Sequence, residues 1–191
     1  MLNLLSSLDD NILLFIQEMI RNPILTPFFK VVTTLGNGGA VWILLTVIVL
    51  LIPKTRKVGC MMLAALLGTL LVNNMLLKPL VDRTRPYEMI EGLTYLVMKP
   101  VDASFPSGHA GCSFAVGCVM FRRLPKRYGV PALILAILIA LSRLYVGVHY
   151  PSDVLFGTIS GIAISFGAEA VVEKISKRIF MFRKGGKYGE D

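Results

Sequence analysis

The sequence contains two histidines, His109 and His149, and each stands among residues suited to anion chemistry. His149 lies in the stretch Ser142-Arg143-Leu-Tyr-Val-Gly-Val-His149-Tyr-Pro-Ser-Asp153. Pro151 breaks any helix between His149 and Asp153, so the carboxylate can fold back to an imidazole nitrogen while capping the helix that follows. A carboxylate on one imidazole nitrogen fixes the tautomer and makes the other nitrogen a better nucleophile. His109 ends the stretch Phe105-Pro106-Ser107-Gly108-His109, which reads as a helix N-terminus: proline near the start, serine as cap, glycine for close approach. Its unpaired N–H groups suit an anion, and the helix dipole there disfavours imidazolium unless one is bound. A third stretch, Lys78-Pro-Leu-Val-Asp-Arg-Thr-Arg85-Pro86, has prolines that stop a continuous helix, so the chain turns and can bring Lys78 and Arg85 together.

Each stretch alone has a plainer explanation: snorkelling cations, an ordinary helix cap, a core histidine beside a capping aspartate. Together they supply three cations, two histidines, a carboxylate and a helix N-terminus. That inventory suits a tetrahedral oxyanion. The cations neutralise it, one histidine attacks phosphorus, and the other protonates the leaving oxygen.

The patterns K-x6-RP, PSGH and SR-x5-H-x3-D, in this order, are similar to the three signature motifs of the type 2 phosphatidic acid phosphatase superfamily. Every signature position matches, and the resemblance spans roughly residues 35–172. It implies that His149 is the nucleophile forming a phosphohistidine, oriented by Asp153, and that His109 is the general acid and then the base for water. Lys78, Arg85 and Arg143, with Ser107 and the Gly108 backbone N–H, are implied to hold the phosphate oxygens. The resemblance also implies that no metal and no cofactor is used. Membrane members commonly have six spans, and this chain departs from that pattern by lacking a robust first one. Undecaprenyl diphosphate is the leading substrate by this resemblance, followed by phosphatidylglycerophosphate and then phosphatidic acid. A non-catalytic lipid-phosphate binder and a vanadium haloperoxidase are the readings from other classes.

The positioning elements follow from composition. Hydrophobic residues make up 54% of 191, charged residues 17%, and mean hydropathy is +0.68. So much apolar surface exceeds what one soluble core of this length hides, and the class expected is an all-α polytopic membrane bundle forming a single domain. Five spans are expected: residues 38–52, 58–77, 109–124, 130–148 and 153–172. Residues 1–37, interrupted by Pro23 and Pro27, read as amphipathic helical pieces at the membrane interface, or as a sixth, irregular span. Residues 173–191 form a basic tail, frayed from Gly185 onward.

The net charge of +8 divides by location. Thirteen of the twenty Lys and Arg fall at residues 54–57, 122–127 and 174–187, on alternate connections and hence on one membrane face. The positive-inside bias makes that face cytoplasmic and places the motifs on the external face of a bacterial-type plasma membrane, with the C-terminus inside. Nucleic acid is not needed to explain the charge. Cys60, Cys112 and Cys118 form no C-x-x-C pair and read as buried packing thiols, and no removable signal peptide is expected. Asn73 and Asn74 are expected to hydrogen-bond between helices, and Glu169 and Glu173 to be solvated. Gly157-x3-Gly161, with Gly167 beyond it, reads either as a helix-packing stripe within the chain or as a dimer contact.

Overall fold

The computed structural model describes residues 2–185. Helix α1 (Leu2–Phe15) continues as a π-helical turn over Ile16–Ile20, and Pro23 separates it from α2 (Leu25–Leu35). Gly38 and Gly39, at φ 58° and 73°, occupy the left-handed region that side chains disfavour. They swing the chain by 48° into α3 (Ala40–Leu51). Helix α4 (Arg56–Thr69) runs on as a π-helical stretch, Leu70–Leu77, into the short α5 (Lys78–Val81). After α6 (Pro86–Met89), an irregular connection leads to α7 (Gly108–Arg123), α8 (Lys126–Tyr145) and α9 (Pro151–Gly185). The described residues are all-helical, without strands.

Helices occupy all five positions expected as spans. Among the described residues, Arg56–Met89, Lys126–Tyr145 and Pro151–Ile179 are long and apolar enough to cross a membrane. The bent pair α2 and α3 makes a fourth if taken as one crossing. At 16 residues α7 is shorter, and it stands in the middle of the bundle, packed against α4, α8 and α9. Its small residues permit this, since helices in lipid gain by close backbone approach rather than by hiding apolar surface from water. Trp42, Met62 and Ile139 are fully buried around its own buried Val116, and the Trp42 indole donates to Ser113 Oγ at 2.9 Å. Leu71, Ile134, Leu141, Leu155 and Phe166 point outward and are exposed, as lipid-facing positions must be.

One open reading closes and two expectations change. The Gly157-x3-Gly161 stripe is occupied within the chain: a Cβ at Gly157 would lie 2.5 Å from the Ser107 carbonyl oxygen, and one at Gly161 2.3 Å from that of Gly111. It packs α9 on α7 and is not a free dimer face. Glu169 is buried rather than solvated, because Arg122 Nε and Arg123 Nε reach its two oxygens at 2.8 and 2.6 Å. Arg123 also pairs with Glu173 at 2.7 Å. Of the cysteines, Cys118 is buried, Cys112 half-buried and Cys60 exposed. The frayed tail expected from Gly185 onward lies almost wholly outside the described residues.

Gly161→Ala is expected to overpack the α7–α9 contact and cost about 1–3 kcal/mol. Gly167→Ala, with no atom near the added methyl, should cost nothing. Heating both variants in detergent and following the fluorescence of Trp42, the single tryptophan, measures the difference.

Candidate active site

Six of the residues singled out from the sequence converge on one cavity of about 1180 Å3: Lys78, Arg85, Gly108, His109, Arg143 and His149. Local chain geometry brings each there. The π-helical stretch turns Asn73 inward to donate to Ser160 Oγ at 2.9 Å and delivers Lys78, itself buried, to the cavity. π-helical turns frequently mark functional sites, because the extra residue re-aims the side chains that follow. Asp82, in the left-handed conformation at φ 42°, reverses the chain after α5 and aims Arg83 and Arg85 back at the bundle. Gly147, at φ 75°, makes the turn after α8 that presents His149, and a Cβ there would lie 2.6 Å from the Thr94 carbonyl oxygen.

His149 is buried and held on both sides. Its Nδ1 faces Asp153 Oδ2 at 3.6 Å, and its Nε2 faces the cavity 3.5 Å from Arg85 Nη1. Burial pulls the imidazole pKa down to about 4 against the opposing Asp153 carboxylate, with Arg143 and Arg85 acting in the same direction as burial. A neutral ring with Nε2 open to the cavity is the state in which imidazole attacks an electrophile. Asp153, fully buried at the start of α9, accepts at Oδ2 from Ser104 Oγ at 2.5 Å and from the Tyr150 N–H at 3.0 Å.

Arg85 donates to the Val148 carbonyl at 2.7 Å, which ties the cation to the residue preceding the imidazole. Arg143 donates from Nη1 to Thr33 Oγ1 at 2.5 Å, while its buried Nε has no hydrogen-bond partner. An unpaired buried donor costs about 1–3 kcal/mol, and an anion oxygen is the acceptor such a group lacks. His109 lies in the first turn of α7, with Nε2 3.1 Å from Asn37 Oδ1. Its ring fits because residue 36 is glycine: a Cβ there would come within 2.6 Å of His109 Cδ2.

Ser107 behaves differently from the other candidates. Its hydroxyl caps α7 by accepting from the Ala110 N–H at 3.4 Å, its own N–H donates to the Asp153 carbonyl at 3.1 Å, and it does not line the cavity. Asp102, which was not singled out, does line it. Its carboxylate bridges Lys78 Nζ and Arg85 Nη2, the latter at 2.6 Å, while its carbonyl accepts from Arg85 Nε at 2.8 Å. Burial opposes ionisation of Asp102, but Lys78 and Arg85 outweigh it and bring the pKa down to about 2. A carboxylate thus rests between two of the cations that would receive a phosphate.

Thr33, Asn37, Ser104 and Asp102 were all missed, since each meets its partner only through the tertiary fold. Away from the charged end the cavity runs between α3 and α4, lined by Ile43, Val47, Leu63, Leu67 and Leu70. These same residues are exposed on the bundle surface, so the cavity opens sideways.

Residues 57–177 match the family model of the PAP2 superfamily. The chain is 33% identical over 126 residues to an undecaprenyl-diphosphatase of Sulfolobus acidocaldarius, covering 66% of this chain and 61% of that protein. It is 32% identical to the phosphatidylglycerophosphatase B of Bacillus subtilis, covering 83% and 81%. Among solved structures, the phosphatidylglycerolphosphate phosphatase from Bacillus subtilis superposes with a TM-score of 0.73 at 30% identity, covering 91% of this chain and 88% of that one.

Removing the resting carboxylate should free the cation pair for an added anion. Asp102→Asn is expected to bind orthovanadate about tenfold more tightly than the wild type, the scale of one charge at contact distance in a partly solvated site. Isothermal titration with orthovanadate checks this.

Proposed function

The chain belongs to the PAP2 superfamily, and from that premise we propose that it is an integral membrane phosphatase acting on a lipid phosphate or diphosphate, with undecaprenyl diphosphate as its substrate. The observation that carries this reading is the meeting of His149, His109, Lys78, Arg85 and Arg143 on a cavity whose other end is apolar and opens sideways. A phosphate would sit among the cations and an acyl or prenyl chain would run between α3 and α4.

In this mechanism the neutral Nε2 of His149 attacks phosphorus in line with the leaving oxygen. Arg85, Lys78 and Arg143 stabilise the charge that develops on the equatorial oxygens. The Gly108 N–H, at the start of α7, adds a donor to the same oxygens. His109 gives its proton to the leaving lipid phosphate or alkoxide, then takes one from a water that attacks the phosphohistidine. Inorganic phosphate leaves and His149 is neutral again. Asp153 stabilises the imidazolium character that arises at each transfer. Three protein cations do the work of charge neutralisation, so the reaction as proposed draws on no metal.

Two observations favour a diphosphate. The archaeal relative is named for that substrate, and Lys30 lines the cavity in addition to the three motif cations. Phosphatidylglycerophosphate is the second reading, favoured by the longer match to the Bacillus subtilis protein.

Phosphate release by the purified protein from undecaprenyl diphosphate, phosphatidylglycerophosphate and phosphatidic acid tests the reading. The highest kcat/KM is expected for the polyprenyl diphosphate, with no loss on adding a chelator. A strict divalent-metal requirement would overturn the mechanism. His149→Ala should abolish turnover while the protein remains folded, and substantial residual activity would remove His149 as nucleophile. The charge distribution supports a site on the external face of a plasma membrane. A cysteine introduced at Lys126 should then label only from the cytoplasmic side, and external labelling would invert the orientation.

A further inference from the structure

Arg83 stands inside the first motif stretch, yet none of the roles described so far uses it. Its guanidinium joins three parts of the chain. Nη1 donates to Asp153 Oδ1 at 2.6 Å and to Ser152 Oγ at 2.7 Å, while Nη2 donates to Asp9 Oδ2 at 2.8 Å. The plane lies over the Tyr150 ring, with the guanidinium carbon 3.8 Å from the ring centroid. Asp9, from α1, is buried and accepts at Oδ1 from the Ser152 N–H at 2.9 Å and at Oδ2 from Ser152 Oγ at 2.5 Å.

The two oxygens of Asp153 therefore have separate tasks. Oδ2 faces Ser104, the Tyr150 N–H and the His149 imidazole, whereas Oδ1 is held by Arg83. Without that hold, a carboxylate beside an imidazole can rotate about its Cβ–Cγ bond. Arg83 is itself locked by Asp9, and a planar fork gripping two carboxylates loses little freedom for each bond it makes.

We infer that Arg83 and Asp9 are positioning residues for the histidine nucleophile: they fix the rotation of the Asp153 carboxylate, which in turn fixes the tautomer of His149. This inference rests on the proposed phosphohistidine chemistry for its kinetic consequences, and on the observed contacts for its effect on the ring.

Arg83→Gln, Arg83→Lys and Asp9→Asn test it, with activity and the imidazole read separately. In Arg83→Gln, kcat for lipid phosphate hydrolysis should fall about 10- to 100-fold, the usual effect of losing a partner that orients a working imidazole. KM and orthovanadate affinity should stay within about twofold, because Arg83 touches neither phosphate nor the cavity cations. Arg83→Lys should recover part of the loss, and Asp9→Asn, nearly isosteric, should show the same split with a smaller decrease. With two histidines in the chain, 15N-histidine labelling gives two rings, assigned by His109→Gln. The wild type should show His149 as one tautomer, protonated on Nδ1, and Arg83→Gln and Asp9→Asn should show a mixture.

An unchanged His149 spectrum in both variants, or a kcat within about twofold of wild type, would overturn the inference. So would a loss of kcat matched by an equal loss of orthovanadate binding, which marks a general collapse of the site. If the wild type releases no phosphate from any lipid, the functional reading fails, and the ring spectra still decide the positioning role. Should Arg83→Gln not fold, Asp9→Asn decides it alone.

Discussion

The close approach of α7 to α9 is the constraint on which the site depends. Two glycines of α9 lie directly on the α7 backbone, and a methyl group at either would collide with a carbonyl oxygen. The contact starts at the motif end, where the Ser107 N–H donates to the Asp153 carbonyl. Because both helices begin there, their first turns are set side by side. One carries His109 and the other Asp153, and the turn before α9 carries His149. One histidine stands on a helix and the other on a turn, yet their spacing is set by backbone contact, which is far stiffer than side-chain contact.

Much of this arrangement was legible in the sequence because its chemistry is local. The SR-x5-H-x3-D pattern holds a histidine and its carboxylate within one turn of chain, and Ser107 beside Gly108 announces a helix start. The second layer was not legible, because its members come from far along the chain. Asp9 reaches Ser152, Thr33 reaches Arg143, and Asn37 reaches His109. No periodicity or spacing records such pairings. The first 37 residues looked like interfacial amphipathic helices, and the polar groups that gave that impression include some that the site uses. Glu169 was misread for a related reason: its place near the end of the last expected span predicted water, but two arginines of α7 fold over it.

The charge of the chain acquires structure in the same way. At one end of the bundle Arg122 and Arg123 are matched by Glu169 and Glu173. At the other, Lys78 and Arg85 are matched by Asp102, and Arg83 by Asp9 and Asp153. Arg143 has no such carboxylate partner: a threonine hydroxyl accepts from Nη1, and its buried Nε is left unpaired. Within the cavity it presents positive charge that no ion pair holds among the described residues. An anion arriving in the cavity would meet a donor there without displacing an internal partner.

The sideways opening between α3 and α4 has a kinetic meaning for any ligand with a hydrocarbon tail. Such a ligand would approach by lateral diffusion within the leaflet, its tail remaining in hydrocarbon while its headgroup moves under the cations. The relevant measure of supply is then the number of ligand molecules per lipid, not per litre. Diluting the membrane with inert lipid would starve the site even at constant bulk concentration, whereas diluting the suspension with buffer would leave it fed.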